Sequence, residues 1–381
     1  MQAGREPTAM SLGSGDGTTE DAAEVALRPP SAVYPGVPPA APASGYELQA
    51  GGLRRLWRRL LSRGRARLDG GVQRLLDAAA QLQIRALGNF RSQAVATVAA
   101  GRLRVLCRDR RCGSSAPTWI FLHGFAGQAS DWAPLLRRLA PLCGRILALD
   151  LPGHGRSQRA LAGGLELNAR TIEAAVAEAL EQLLAPNERC VLVGNSMGCL
   201  VALRLAQRWR GRLVGAIFLA PLAPLAAPLA VATLQAKFQL QSWTDALNFV
   251  DRLYLRRLWP ARRWLAALVI RCHLRQPHLQ ALLAQLGQQP LLTDADLRAL
   301  PPTLLICGER DDFLPRTVLN FYAERLQRPQ DRVIWDPALG HVPFLEQADR
   351  LVELLHAWRH LPSLLPPAAV DLPASRRARS A

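Results

Sequence analysis

Short apolar runs alternate with longer segments of helical periodicity from about Gln93 onwards. This pattern predicts eight strands, at 94–99, 102–107, 118–122, 145–149, 190–194, 213–219, 303–307 and 332–335. It also predicts helices at 130–139, 168–184, 197–208, 316–326 and 345–360. The runs TWIFLH, RILALD, CVLVGN and PTLLICG are continuously apolar, which is typical of parallel strands covered on both faces. We therefore expect an α/β fold with a doubly wound, mostly parallel, eight-stranded sheet.

The same pattern divides the chain into segments. Residues 222–300 interrupt the alternation with helical sequence rich in Leu, Gln and Trp, which predicts a helical cap inserted into an α/β core at 93–221 and 301–361. Residues 1–50, rich in Gly, Ala, Pro, Ser and Thr without periodicity, predict a disordered leader. Residues 362–381 predict a flexible tail.

An Arg-rich amphipathic helical segment is predicted at 51–90, ahead of the core. Its first run places five apolar residues on one helical face and arginines on the other: Leu53, Leu56, Trp57, Leu60 and Leu61. Residues 51–88 could bind an anionic membrane or a lipid inclusion, or pack on the core with arginine outward, and the sequence leaves both open. Nucleic acid is disfavoured, because few aromatic residues interleave and no recognised module is present.

Composition limits the remaining classes. A chain of 381 residues with 49% hydrophobic residues can fill a large core, which excludes wholesale disorder. The net charge of +17 comes almost entirely from arginine, since Lys237 is the sole lysine, and this pattern is typical of a GC-rich genome. The charge is therefore not taken as a sign of a nucleic-acid partner.

Cysteine usage and targeting signals bear on location. Seven cysteines are scattered without a CxxC pair, which favours a reducing compartment over a disulfide framework or zinc site. No signal peptide is recognisable, and three prolines interrupt the uncharged stretch 213–236, which disfavours a spanning helix. We expect a cytoplasmic protein, with peripheral attachment to a membrane or inclusion surface left open, and no metal or organic cofactor.

The segment Gly194-Asn195-Ser196-Met197-Gly198 joins a predicted strand to a predicted helix. A sharp strand-to-helix turn needs small flanking residues, because the backbone at its centre is strained. Such a turn lifts the Ser196 hydroxyl to the carboxyl edge of the sheet, above a helix N-terminus. Ser196 is therefore the candidate nucleophile.

A serine hydroxyl needs a base and an orienting acid. His341 follows the last predicted strand, and Asp311 follows the strand before it, so all three groups are expected at one sheet edge. Asp312 and Glu309 are the alternative acids, with Asp311 preferred. His123 and His154, in two loops, are interpreted as structural.

The developing oxyanion needs two hydrogen-bond donors. The backbone N–H of Met197, directly after the nucleophile, is one candidate. The backbone N–H of Phe125 is the other, because Gly124 before it permits close backbone approach. An ordinary turn between strand and helix is the alternative for this second loop.

Five motifs together resemble the α/β-hydrolase fold family, in its cap-bearing serine hydrolase branch. They are HGFAGQASDW (123–132), DLPGHGRS (150–157), GNSMG (194–198), PTLLICGERDDFLP (302–315) and GHVPFLEQ (340–347). The resemblance covers about residues 95–361 and implies a catalytic triad of Ser196, Asp311 and His341. It also implies Phe125 and Met197 as oxyanion donors, and no cofactor. One departure is Cys199, where many members carry a second glycine.

The resemblance implies a serine hydrolase that cleaves a carboxylic ester, a lipid ester or a thioester through an acyl-enzyme. Aromatic residues of the cap suggest an apolar acyl pocket, with packing on the sheet as the alternative for most of them: Phe238, Trp243, Tyr254 and Trp259. A carbon–carbon bond hydrolase of a diketo acid is a second candidate, since GNSMG resembles that group and residues 222–300 carry nine basic and four acidic residues. A non-catalytic binding protein of the same fold is the third.

Overall fold

The computed structural model describes residues 78, 82, 84–109, 116–157, 166–223, 228–288 and 292–358, all within the unit formed by residues 61–381. The predicted leader, most of the Arg-rich segment and the predicted tail lie outside the described residues. The end of the Arg-rich segment is described: residues 84–86 are helical, and Ile84 is buried in the core. Within the described part of the chain, no helix is both long enough and apolar enough to cross a membrane.

Eight strands form one sheet, in the order β1-β2-β4-β3-β5-β6-β7-β8. Their bounds are β1 Arg91–Thr97, β2 Gly101–Arg108, β3 Thr118–Leu122, β4 Arg145–Leu149, β5 Cys190–Asn195, β6 Leu213–Leu219, β7 Thr303–Gly308 and β8 Arg332–Asp336. Strand β2 pairs antiparallel with β1 and with β4, and the remaining pairs are parallel. The prediction of a mostly parallel eight-stranded sheet is confirmed.

Burial along the strands explains why the apolar runs became central strands. Every residue of β3, β5 and β7 is buried, whereas the edge strands β1 and β8 are partly exposed. Apolar side chains fill both faces of the sheet in two clusters. A parallel strand covered on both faces has no need for polar alternation, and for that reason the sequence signal was strong.

Helices of the core flank the sheet. Their bounds are α1 Ala133–Leu139, preceded by a 3₁₀ turn at Ala129–Trp132, α2 Ala169–Leu183, α3 Met197–Arg208, α9 Arg316–Arg325, α10 Pro343–Glu346 and α11 Ala348–His356. The prediction of one helix at 345–360 is wrong. Gln347 leaves the helical conformation because Glu346 directs its carboxylate to the backbone N–H groups of Leu255 and Arg256, which turns α10 towards the cap.

Between β6 and β7, where the sequence predicted a helical cap, the described residues form five helices. Their bounds are α4 Pro228–Phe238, α5 Trp243–Leu253, α6 Pro260–Leu274, α7 Pro277–Ala284 and α8 Asp294–Arg298. Proline at the first positions of α6 and α7 and capping boxes at α5 and α8 define where these helices begin. Residues of α4 and α7 line a cavity together with Ser196, which follows β5, and Lys237 of α4 donates to Phe313 O in the loop after β7, so the cap lies at the carboxyl edge of the sheet.

Candidate active site

Ser196 occupies a strained turn between β5 and α3. Its backbone has φ 51° and ψ −116°, a conformation that an L-residue adopts only when its surroundings enforce it. Three backbone hydrogen bonds provide that enforcement. The Ser196 N–H donates to Leu219 O at 3.1 Å, and its carbonyl accepts from Cys199 N at 3.0 Å and Leu222 N at 3.1 Å.

The glycines on either side of Ser196, Gly194 and Gly198, have no room for a side chain because other backbone segments lie against them. A Cβ at Gly198 would overlap the carbonyl group of Leu122 at the end of β3. A Cβ at Gly194 would stand 2.7 Å from Cys199 N. The Cys199 side chain, fully buried, fits beside the turn, and burial raises the pKa of its thiol well above the usual value. Cys199 is therefore a packing residue here.

His341 and Asp311 form a buried pair. His341 Nδ1 lies 2.8 Å from Asp311 Oδ2, and the two side chains are 4% and 0% exposed. Burial alone would raise the pKa of Asp311. The imidazole of His341 and the N–H groups of Leu314 and Phe313 outweigh that effect, so the pKa lies below its usual value. Asp311 is thus ionised at neutral pH, and Nδ1 of His341 is its donor.

The alternative acids lie elsewhere. Glu309 and Asp312 are exposed, and neither is hydrogen-bonded to His341. The loop that carries His341 is tied to the serine turn through Asn195, whose Nδ2 donates to His341 O at 3.0 Å and to Leu219 O at 3.1 Å. The sequence places Asn195 in the motif but gives no sign of this bridge.

The loop after β3 contacts the serine turn directly. A Cβ at Gly124 would stand 2.9 Å from Asn195 Oδ1 and 3.2 Å from Ser196 Cβ. Phe125, next in the chain, lines the same cavity as Ser196 and Met197. The two backbones named as oxyanion donors are therefore neighbours of Ser196, and their role stays a prediction.

His123, which the sequence predicted to have a structural role, holds this loop in place. Its Nδ1 lies 2.8 Å from Gly124 O, and its Nε2 accepts from Leu151 N at 2.9 Å. Burial lowers the pKa of His123 to about 4, so the ring is neutral at pH 7. His154 packs against it with ring centroids 5.3 Å apart. The two histidines join the loops after β3 and β4.

An apolar cavity of about 330 Å³ opens at Ser196. One face of α3 lines it with Met197, Leu200 and Val201 and then turns polar at Arg204 and Gln207. The start of α2, cap helices α4 and α7 and the residue after α7 also line it, with Arg170, Glu173, Leu234, Phe238, Leu283 and Gln285. The cavity thus runs from the serine between apolar walls to a polar end.

The aromatic residues predicted to form the pocket behave differently from one another. Phe238 lines the cavity. Trp243 and Tyr254 pack against the core instead, which was the alternative interpretation of these residues. Trp259 is 76% exposed, so its assignment to an acyl pocket is wrong. The walls come instead from leucines that no sequence pattern separated from other cap leucines. Among the described residues, no cluster of three His, Cys, Asp or Glu side chains could hold a metal ion.

The model of the Alpha/beta hydrolase family matches residues 119–354. Pimeloyl-(acyl-carrier protein) methyl ester esterase of Xanthomonas campestris pv. campestris (strain B100) is 31% identical over 267 residues, 63% of this chain and 94% of that protein.

Two further similarities are more limited. Protein PHYLLO, chloroplastic, of Arabidopsis thaliana is 27% identical over 254 residues, which are 61% of this chain but 15% of PHYLLO. The crystal structure of a bacterial membrane phospholipase A aligns with a TM-score of 0.60 and 22% identity, over 81% of this chain and 99% of that one. This last similarity establishes the fold alone.

Proposed function

This chain belongs to the alpha/beta hydrolase family and is a carboxylic ester hydrolase, and we propose that Ser196, His341 and Asp311 are its catalytic triad. Ser196 is the nucleophile, His341 the general base and acid, and Asp311 the acid that orients the imidazole. The backbone N–H groups of Phe125 and Met197 hold the oxyanion.

The proposed reaction has two steps. His341 Nε2 takes the proton of Ser196 Oγ while the oxygen attacks the ester carbonyl, and it then gives that proton to the departing alcohol. Water attacks the acyl-enzyme in the second step, His341 accepts its proton and returns it to Ser196 Oγ, and the carboxylic acid leaves. The negative charge of Asp311 stabilises the imidazolium in both steps.

One observation carries this proposal: the strained Ser196 turn opens into an apolar cavity, and Asn195 joins that turn to the loop of the buried His341–Asp311 pair. A strained backbone persists only where the surrounding structure holds it, and such residues concentrate at functional sites.

The cavity supports a substrate with an apolar acyl chain. Ser196 precedes α3, and Arg204 lies eight residues along the same helix, a rise of about 12 Å. That length matches an extended acyl chain of about eight to ten carbons. We propose medium-chain acyl esters or thioesters, with the far end of the chain near Arg170 and Arg204.

The test is hydrolysis of p-nitrophenyl esters from acetate to palmitate by wild type, Ser196→Ala and the control Ser92→Ala. We expect Ser196→Ala to lose at least about 10³-fold in kcat with unchanged thermal unfolding, and Ser92→Ala to match wild type. Turnover should be highest near octanoate. Near-wild-type activity of Ser196→Ala would reject the nucleophile, and turnover of a ring-cleavage diketo acid with none of esters would favour the carbon–carbon hydrolase.

We also propose that residues 51–88 attach the protein to an anionic membrane or lipid inclusion, with the enzyme in the cytoplasm. The basis is the arginine and leucine pattern and the fact that the six described cysteines form no disulfide with one another. Vesicle co-sedimentation of the full chain against a variant without residues 1–89 tests the attachment. Equal amounts of both in the supernatant would reject it.

A further inference from the structure

Large apolar side chains are exposed in one stretch of the cap. Of the five exposed large hydrophobic residues in the described part of the chain, three lie within seven positions: Trp259 at 76%, Trp264 at 57% and Leu265 at 57%. The other two, Leu82 and Val98, lie far from these in the sequence. We call Trp259, Trp264 and Leu265, with the exposed Arg257 and Arg262, the cap patch.

The cap patch is held on a fixed support. Pro260 starts α6 directly after Trp259, where a proline suits the first helical turn. Arg263 reaches back from α6 to α5 and grips Asp251 with two hydrogen bonds, of 2.7 and 2.6 Å. The Trp264 ring packs on Trp243 of α5, with centroids 4.3 Å apart. These contacts fix α6 on α5, and the cap patch is exposed in this packed arrangement of the two helices.

The charge of the cap patch indicates which kind of partner it can bind. Arg257 and Arg262 are exposed and make no ion pair with the described residues, and the first turn of α6 contains no acidic residue. The nearest acid along the neighbouring helix, Asp251, is already neutralised by Arg263. The patch therefore carries two exposed arginines without an ion pair among the described residues, in the same stretch of chain as two exposed tryptophans, which fits an anionic occupant.

We propose that the cap patch docks the enzyme on an anionic lipid surface, with Trp259 and Leu265 entering the headgroup region and Arg257 and Arg262 binding lipid phosphates. Tryptophan favours this region because its ring has an apolar body and a polar N–H. Basic residues near an anionic leaflet add electrostatic attraction. A lipid surface also needs no shape complementarity, whereas a protein partner would need a matching contour.

The sequence supplies an independent argument for the same occupant. The tetrapeptide Arg-Arg-Leu-Trp occurs at 256–259, where it leads into the cap patch, and again at 54–57, in the Arg-rich amphipathic segment. Two arginines followed by leucine and tryptophan is a composition typical of interfacial segments.

Co-sedimentation of the full chain with phosphatidylglycerol vesicles and with phosphatidylcholine vesicles tests the proposal. We expect wild type to bind phosphatidylglycerol, and Trp259→Ser/Leu265→Ser to bind it about tenfold more weakly. Val98→Ser, which removes a 91% exposed apolar side chain elsewhere, is the matched control and should bind like wild type. Arg257→Glu/Arg262→Glu should lose the preference for the anionic lipid.

All variants keep residues 51–88, so any contribution of that segment cancels in the comparison. Turnover of a water-soluble butyrate ester, equal in all variants, shows that the fold is intact and separates this proposal from the one on Ser196. Unchanged binding of Trp259→Ser/Leu265→Ser would overturn the docking proposal.

A local probe gives a second readout. Leu265→Cys in a Cys112→Ser background, labelled with an environment-sensitive dye, should shift to the blue with phosphatidylglycerol vesicles, because the described cysteines are buried. The same dye at Val98→Cys should not shift. No shift at position 265 would reject insertion, and a shift with an acidic acyl carrier protein but not with vesicles would replace the lipid by a protein partner.

Discussion

The carboxyl edge of the sheet and the helical cap build their parts of the site in different ways. At the sheet edge, backbone groups decide the geometry: Ser196 is held by three main-chain hydrogen bonds, and Gly198 by contact with a carbonyl. In the cap, side chains decide it: Leu234, Phe238 and Leu283 shape the cavity without any polar contact to the serine turn. Under the proposed mechanism, the main chain thus fixes the position of Ser196, and replaceable side chains of the cap select the substrate.

The comparison predicts that small changes at the edge are severe and that large changes in the cap are selective. This contrast would be contradicted if a substitution at the sheet edge were tolerated, or if a cap substitution abolished activity on all substrates alike. Four substitutions test it, in order of expected effect.

Asp311→Asn should have the largest effect. An amide at this position donates to His341 Nδ1, which places the imidazole proton on Nε2 and removes the base. We expect kcat to fall by about 10³- to 10⁴-fold without loss of fold. Asp312→Asn, at the exposed neighbouring acid, is the control and should behave as wild type. Steady-state kinetics on one ester decides it, and equal activity of both variants would contradict the pairing seen at 2.8 Å.

Leu234→Trp should be selective. The larger ring fills the cavity between α4 and α3, so decanoate esters should lose about 10- to 100-fold in kcat/KM while acetate is unaffected. Leu265→Trp, on the exposed side of the cap, should leave the whole chain-length profile unchanged. Equal losses on acetate and decanoate would show that the cap also shapes the catalytic geometry.

His154→Asn probes the seam where the two regions meet. His154 lies in the loop after β4 and packs against His123 and Phe125 of the loop after β3. The cap residues His273 and His278 bond to the same two loops, at Ala126 O (3.3 Å) and Gly153 O (2.8 Å). Burial, with the nearby His123 and the two cap histidines, lowers the pKa of His154 well below 6.5. The unfolded chain therefore binds a proton below about pH 6.5 that the folded chain does not, and stability falls as pH falls.

Asp131 has the opposite effect on stability. Burial raises its pKa to about 7, so the folded chain binds a proton that the unfolded chain does not, and stability rises as pH falls. Comparing wild type with His154→Asn separates the contribution of His154 from that of Asp131. Between pH 7.5 and 5.0, the unfolding free energy, measured by urea denaturation, should fall further in wild type than in His154→Asn. Identical losses in both proteins would show that His154 does not titrate differently on folding.

Tyr322→Phe should have the smallest effect. The buried hydroxyl donates to Leu222 O at 2.8 Å, where the chain leaves β6 for the cap. Removing it leaves that carbonyl unpaired, at a cost of about 1 kcal/mol in unfolding free energy. Tyr254→Phe is the control, since no hydrogen bond of its hydroxyl is formed among the described residues. Equal destabilisation of the two variants would remove the special role of the Leu222 contact.

The sequence predicted the edge far better than the cap, for a physical reason. Buried parallel strands and a glycine-flanked serine turn are dictated locally, so all eight strands and the Asp311–His341 pairing could be anticipated. Cap helices α4, α6 and α7 carry apolar residues on more than one face, so periodicity cannot say whether a given side chain contacts the cavity, the sheet or solvent. Trp259 illustrates the limit: its residue type suggested a pocket, and its environment is solvent.

The break at Gln347 and the bridge at Asn195 were missed for a related reason. Each depends on contacts between segments far apart in the chain: Glu346 with Leu255, and Asn195 with His341. Helical propensity describes only neighbours in sequence. Long-range hydrogen bonds of this kind become visible only once the fold is known.

The contact between Gly198 and the end of β3 also bears on how this protein could acquire new substrates. The position is closed to every residue with a side chain, so variation cannot enter at the turn itself. Positions such as Leu234 and Leu283 have no such restriction, because their side chains border the cavity, which leaves room for a different side chain. Under the proposed mechanism, selection for a different ester can therefore proceed one cap residue at a time, without disturbing the turn that holds Ser196.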